Sequence, residues 1–298
     1  MSLDSIKSLS HFTVLEQLKL VLGLLISPLF KNNKHFQTLL NEKRGLDFLY
    51  RCNREVKKID LNTILIRGKR NVNHDYKFQL RRYSSDVDVF RQLYYHPDYP
   101  MIIDKVIQTL GGVEKVFTII DGGAYIGLST FYWASTFPEA RVIAIEAEKS
   151  NFDLLQKNVQ MNTLLNVQAE NLALWSHEEN LNITREKMDK RPWAFAVEAT
   201  TDQPSDMIPG ISLSKLLINR SIDQIDVLKL DIEGAEKEVF LQDEGIGKVL
   251  ESTKIIICEL HYFDQTKKHI LKKLKDYGFI ISSIGEDLFC INKKLISS

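Results

Sequence analysis

The stretch that most constrains this chain is residues 116–127, Val-Phe-Thr-Ile-Ile-Asp-Gly-Gly-Ala-Tyr-Ile-Gly. An apolar, β-branched run ends in Asp121, breaks into a glycine turn and gives way to a segment carrying Leu128, Phe131, Tyr132 and Trp133. Strand, tight turn and helix in that order form the entrance to a doubly wound nucleotide-binding sheet. The turn departs from a dinucleotide loop, because Gly122, Gly123 and Gly127 lack the Gly-x-Gly-x-x-Gly spacing that opens a helix N-terminus to a pyrophosphate. Asp121 also puts negative charge where a phosphate would approach. A carboxylate there suits a cationic ligand, and S-adenosylmethionine carries an α-ammonium and a sulfonium without any phosphate. The loop is therefore read as binding that cofactor through Asp121, Gly122, Gly123 and Gly127.

A second acid supports an adenosine ligand. Arg141-Val-Ile-Ala-Ile-Glu146 is another β-branched run ending in a carboxylate, and an acid at the tip of the second strand accepts hydrogen bonds from ribose hydroxyls. NAD carries that ribose too, so Glu146 does not choose between the two cofactors. From residue 116 onward strand and helix patterns alternate, the signature of a parallel sheet covered on both faces. Strands are expected at 116–121, 141–146, 165–171, 225–231, 254–260, 279–284 and 287–292. A helix carrying Ile270, Leu271, Leu274 and Tyr277 should end at Gly278. The short Gly285-Glu286-Asp287 turn makes the last two strands antiparallel. The expectation is an α/β fold with a mostly parallel seven-stranded sheet whose last strand is reversed.

Residues 1–110 read differently and are taken as an N-terminal extension before a cofactor-binding domain of 111–298. Thr63-Ile-Leu-Ile66 and Tyr76-Lys-Phe-Gln-Leu80 are expected to pair as a small hairpin across a polar stretch. Between 12 and 27 a helix would be about 24 Å long, short of the roughly 30 Å hydrocarbon core. It lacks a small-residue cleavage pattern, which argues against a signal peptide. Val14, Leu15, Leu18, Val21, Leu22 and Leu25 share one of its faces. That face suits packing on its own fold, a second copy of the chain, or a seat on a membrane surface. Lys plus Arg and Asp plus Glu are equal at 39 each, so no global field draws in nucleic acid or membrane. The three cysteines, Cys52, Cys258 and Cys290, show no metal spacing and point to a reducing, cytoplasmic setting.

Taken together, these segments resemble the FkbM-type family of S-adenosylmethionine-dependent methyltransferases, of the Rossmann-like class I fold, from about residue 81 to the C-terminus. The resemblance rests on Asp121-Gly-Gly-Ala-Tyr-Ile-Gly127, the Glu146 strand end and Asn171-Leu-Ala-Leu174. It rests above all on Ile225-Asp-Val-Leu-Lys-Leu-Asp-Ile-Glu-Gly-Ala-Glu236, followed by Cys258-Glu-Leu-His261. Arg82-Tyr-Ser-Ser-Asp86 looks like the family's lead-in, while Tyr125 stands where the family commonly has Asn. The resemblance implies methylation of an oxygen on a sugar, polysaccharide or secondary metabolite.

Methyl transfer to an alcohol needs in-line positioning and removal of a proton. The groups at the carboxyl ends of neighbouring strands are Asp231 and His261, with Glu233 close behind. His261 is expected to be the general base, because an unperturbed imidazole titrates near neutrality; Asp231 and Glu233 would orient it, grip the acceptor or serve as base. Glu236 and Glu238 are assigned to compensating a helix dipole. Asn171 is read as bonding the adenine edge, and Asp86, with Arg82, as reaching the cofactor's amino-acid end. Asp231, Glu259 and His261 could hold magnesium or manganese, since carboxylate plus imidazole suits such an ion. No compact ligand motif supports this and Glu259 is read as pointing away from its neighbours in the strand, so no metal is expected. Segment 185–210, with Trp193 and Phe195, is read as a binding loop or lid. Two other functions compete: an NAD-linked oxidoreductase, and a silent methyltransferase-like domain held at a membrane or partner by its N-terminal helix.

Overall fold

The computed structural model describes residues 7–25, 33–70, 74–184, 196–199, 207–261 and 264–296. The chain divides into two compact units, Met1–Gln92 and Leu93–Ser298.

The first unit holds helices α1 (Val14–Leu25) and α2 (Lys34–Cys52) and strands β1 (Glu55–Lys58), β2 (Thr63–Lys69) and β3 (Asp75–Arg81). Strands β2 and β3 form the expected hairpin, with Ile64 opposite Leu80 and Ile66 opposite Phe78. β1 adds a third antiparallel strand; with one apolar residue in Glu-Val-Lys-Lys, it lacks the alternation that marks a strand in sequence. α2 starts at Asn33, whose side chain accepts from Phe36 N, and buries Leu39, Leu46 and Leu49 along one face. α1 differs from the packed-helix expectation. Leu20 is buried, but Val14, Leu15, Leu18 and Val21 face solvent, Val14 with 74% of its surface exposed. No helix among the described residues is long and apolar enough to cross a membrane.

Helix α3 (Asp86–Tyr95) spans the boundary between the units. The second unit continues with α4 (Asp98–Leu110), β4 (Thr118–Gly122), α5 (Leu128–Thr136), β5 (Arg141–Ile145), α6 (Lys149–Met161) and β6 (Val167–Glu170). The sequence division placed α4 before residue 111; here Tyr99, Ile102 and Val106 join the core of Val116, Ile119 and Trp133. Four strands follow, β7 (Ala173–Trp175), β8 (Glu179–Thr184), β9 (Ala196–Ala199) and β10 (Met207–Ser212), then α7 (Leu213–Asn219). The chain ends in β11 (Ile225–Leu230), α8 (Ile246–Glu251), β12 (Thr253–Cys258), α9 (Gln265–Asp276), β13 (Phe279–Ile284), β14 (Asp287–Asn292) and α10 (Lys293–Ile296).

The main sheet has the order β13-β14-β12-β11-β4-β5-β6. Strands β12, β11, β4, β5 and β6 are parallel, and β14 alone runs against its neighbours. This is the seven-stranded, one-reversed sheet expected from the sequence. Gly278 closes α9 at φ +97°, as a left-handed C-terminal residue should. Every residue of β11 is buried, Asp226 and Lys229 included, so the strand shows no alternation of apolar and exposed polar residues.

The expected lid differs in part. β7, β10, β8 and β9 form a second sheet in that order, so 196–199 and 207–210 of the presumed loop are strand. Pro209 and Gly210 disguise β10 as a turn in the sequence. Trp193 and Phe195 lie outside the described residues.

Candidate functional site

The glycine turn leaves β4 at the carboxyl edge of the main sheet. Asp121 is fully buried, and its Oδ2 accepts hydrogen bonds from Ser129 Oγ at 2.9 Å and Thr130 Oγ1 at 2.7 Å in the first turn of α5. Its ladder neighbour on β11 is Lys229. The Lys229 ammonium donates to Gly123 O at 2.9 Å and Gly122 O at 3.3 Å, and lies 3.5 Å from Asp121 Oδ1 and 3.8 Å from Asp231 Oδ2. Burial opposes this charge but is outweighed by Asp121 and then Asp231, so the lysine pKa is raised. Gly122 O also accepts from Asp231 N at 3.1 Å. Gly123 sits at φ +74°, where a Cβ would lie 1.7 Å from the Asp231 carbonyl oxygen. Only glycine permits the two strand ends to cross so closely. Gly127 sits at φ +86° at the start of α5, with the space of a Cβ taken by Leu155.

Glu146 follows β5 and is buried. Its Oε2 accepts from Tyr125 N at 2.9 Å; Oε1 accepts from Glu148 N at 3.0 Å and Asn151 Nδ2 at 3.2 Å. Burial lifts its carboxyl to about 7, against the pull of those hydrogen bonds. Tyr125 contributes its backbone N–H to Glu146 from a left-handed conformation, φ +51°, which Asn adopts more easily than Tyr. The Asn171 amide donates to Glu146 O and Ala147 O, both at 2.9 Å, and so ties down the segment after β5. Asp86 belongs to the first unit. It is fully buried, with its carboxylate held by Arg81 through N at 2.7 Å, Nε at 3.1 Å and Nη2 at 2.9 Å. The described contacts thus give Asp86 a partner within that unit.

The predicted catalytic residues do come together. His261, beyond β12, has Nε2 3.5 Å from Glu233 Oε2 and 3.9 Å from Asp231 Oδ1. Glu259, read from sequence as pointing away, also approaches Nε2, at 3.5 Å. Across the ring, Nδ1 meets Glu236 Oε1 at 3.0 Å. The expectation of an imidazole with an ordinary pKa is not met. Burial works against its charge, but the hydrogen bond and charge of Glu236, then Glu233 and Asp231, raise it to about 9. His261 is therefore an imidazolium at neutral pH and takes no proton there. Glu233 is instead pushed up to about 7, by burial and then by the charge of Asp231.

The segment after Asp231 is also not the plain helix expected. Glu233 and Gly234 both take positive φ, and a π-helical turn follows at Glu238–Gln242. That geometry turns Glu233 toward the ring and buries Glu236 completely, so Glu236 is a histidine partner rather than a solvated dipole compensator. Sequence reading missed Lys229, Glu236 and Asp287. Lys229 was signalled by its place two residues before Asp231, on the same strand face. Asp287 opens β14, beside β12; burial and then the Asp231 charge lift it to about 7. Asp231, Glu233 and His261 each offer a ligating atom, all within 4.8 Å of one another, so this cluster can hold a cation.

A family profile described as the methyltransferase FkbM domain matches residues 121–281, more than half of the chain. Methyltransferase 1 of Beauveria bassiana is 24% identical over 192 residues, covering 58% of this chain and 76% of that protein. Methyltransferase sdnD of Sordaria araneosa is 26% identical over 194 residues, covering 55% and 74%. Among solved structures, the methyltransferase FkbM of Methylobacillus flagellatus aligns with a TM-score of 0.40 and 16% identity. That alignment covers 59% of this chain and 43% of the longer bacterial protein.

Proposed function

This chain belongs to the FkbM methyltransferase family, and from that premise we propose that it moves a methyl group from S-adenosylmethionine to a hydroxyl of a sugar, polysaccharide or secondary metabolite. The observation that carries the reading is the crowd of carboxylates at the carboxyl ends of β11 and β12. Asp231, Glu233 and Glu259 surround one imidazole, with Asp287 close by. Such a rim favours a sulfonium and an ammonium over a pyrophosphate, and in this respect the residues fit the cofactor. When bound, S-adenosylmethionine supplies an electrophilic methyl group that needs no further activation.

The protein's part is positioning and proton removal. Gly122 and Gly123 form the turn, with Lys229 donating to their carbonyls, and Glu146 is assigned to the ribose hydroxyls. Asp231, the most exposed of the cluster at 38%, is assigned to the acceptor. The base is assigned to the His261–Glu233 pair, whose facing atoms lie 3.5 Å apart. With His261 charged, Glu233 is the member able to take the acceptor's proton near neutrality. The exposed apolar residues of α1 support one further element, contact of the N-terminal helix with a membrane surface or a second copy of the chain.

Calorimetric titration with S-adenosylhomocysteine, and with NAD as control, tests the cofactor. Saturable binding of the former alone is expected; binding of NAD alone would replace the methyltransferase reading by the oxidoreductase one. Glu233→Gln should lower turnover about 10²-fold or more while leaving S-adenosylhomocysteine affinity within a few-fold.

A further inference from the structure

We propose that Asp231, Glu233 and His261 bind one divalent cation of the magnesium or manganese class, with Glu236 fixing the imidazole that ligates it. The site stands on the cluster's geometry; its part in catalysis rests on the methyltransferase reading above. Because a bound cation displaces the imidazole proton and occupies a Glu233 oxygen, the proton-acceptor role given to Glu233 belongs to the metal-free cluster.

The first argument is spacing. Ligands bound to one ion at about 2.1–2.3 Å lie roughly 3–3.7 Å apart at octahedral or tetrahedral angles. His261 Nε2 is 3.5 Å from Glu233 Oε2 and 3.9 Å from Asp231 Oδ1, and Glu259 Oε1 stands by at 3.5 Å as a further oxygen. These atoms need only side-chain adjustments to close on a common centre. Carboxylate oxygens with one imidazole suit a hard dication.

The second argument is the far side of the ring. A ligating histidine usually gives its other N–H to a carboxylate, which sets the tautomer and turns the free lone pair toward the metal. Glu236 stands in that place: its side chain is 0% exposed, its Oε1 is 3.0 Å from Nδ1, and its Oε2 has no hydrogen-bond partner among the described residues. Helix-dipole compensation needs no such burial, because a solvated glutamate does it equally well. A fully buried carboxylate with one orphaned oxygen is costly, and a dication on the opposite nitrogen offsets that cost.

The third is charge balance. Lys229, the cation nearest the cluster, is engaged by Asp121 and the carbonyls of the glycine turn. Among the described residues, Asp231, Glu233, Glu259 and Asp287 face only the imidazolium and a share of Lys229, which lies 3.8 Å from Asp231. A cation at Nε2 replaces that single proton with two charges. Three protein ligands leave coordination positions open to water or an acceptor oxygen.

The test uses the full chain stripped with EDTA and titrated with Mn²⁺, free ion being followed by electron paramagnetic resonance and no cofactor being present. One saturable site per chain is expected. Asp231→Asn and Glu233→Gln should each weaken it at least about tenfold, and Glu236→Gln by about 10–100-fold. Should Glu236→Gln fail to fold, the partly exposed Asp231 keeps the test open, with a melting curve as control. No saturable binding up to ~1 mM Mn²⁺, well above the range of ordinary intracellular sites, overturns the site. So does binding that the Asp231→Asn, Glu233→Gln double variant leaves unchanged. Mn²⁺ binding without S-adenosylhomocysteine binding supports the site and overturns the methyltransferase reading, whereas the reverse overturns the site alone.

Discussion

In the first unit Arg82 is buried and its guanidinium is engaged at every nitrogen. Nε donates to Glu42 Oε1 at 2.7 Å, Nη1 to the carbonyls of His11 and Leu61 at 2.8 and 2.9 Å, and Nη2 to Tyr83 Oη at 3.0 Å. Glu42 uses its other oxygen on Tyr83 N at 2.9 Å. In the second unit the ring of His261 faces Glu236 on one nitrogen and Asp231, Glu233 and Glu259 on the other. One arrangement matches charges and hydrogen bonds nearly one to one. The other holds more negative charge than its own cations balance, and pushes Glu233 and Asp287 up to about 7. Buried charge that serves only the fold is closed on itself; a cluster that must receive something is left unbalanced.

The largest test breaks the closed pair. Arg82→Met leaves Glu42 buried without its partner and should cost about 3–5 kcal/mol in urea unfolding. A loss below about 1 kcal/mol would mean that the pair does little for the first unit.

A smaller effect sharpens the open cluster. His261 is raised from 6.5 to about 9, so its contribution to stability is complete below pH 6.5 and is lost as pH rises through 9. Glu233 is raised from 4.5 to about 7; its protonated form favours the folded state, and that contribution is lost as pH rises from 4.5 through 7. Both have the same sign. EDTA-treated protein should therefore lose at least about 1 kcal/mol between pH 5 and 9, and His261→Gln should flatten the part above pH 6.5.

By the same reasoning Glu233→Gln should stabilise the metal-free protein at pH 8, by up to about 1 kcal/mol after solvent screening. A destabilised variant would show that the cluster is balanced after all. The smallest change is expected at α1, where Leu15→Ser and Leu18→Ser should each shift stability by no more than about 0.5 kcal/mol. The same pair should release the chain from anionic vesicles if α1 meets a membrane.

Much of the fold was legible because it is local. Val116 to Gly127 states a strand, a left-handed turn and a helix within twelve residues, and the Gly285-Glu286-Asp287 turn forces the last two strands to oppose each other. The small second sheet was not legible: Pro209 and Gly210 hide a strand whose partners, Ala173–Trp175 and Glu179–Thr184, confer its shape. At the site, Asp231, Glu233 and His261 could be named from strand ends. Lys229 shares a strand face with Asp231, but that spacing does not say that its ammonium reaches the carbonyls of the glycine turn.

The sequence by itself determined the alternation of strands and helices, the acids at the strand ends and the glycines where strand ends cross, since each depends on residues a few places apart. Only the tertiary structure decided which carboxylates share one imidazole and how far their affinities for a proton move. Those depend on a positive-φ turn at Glu233, on the burial of Glu236 and on the approach of β12 to β11, and burial and distance between remote segments are properties of the folded chain.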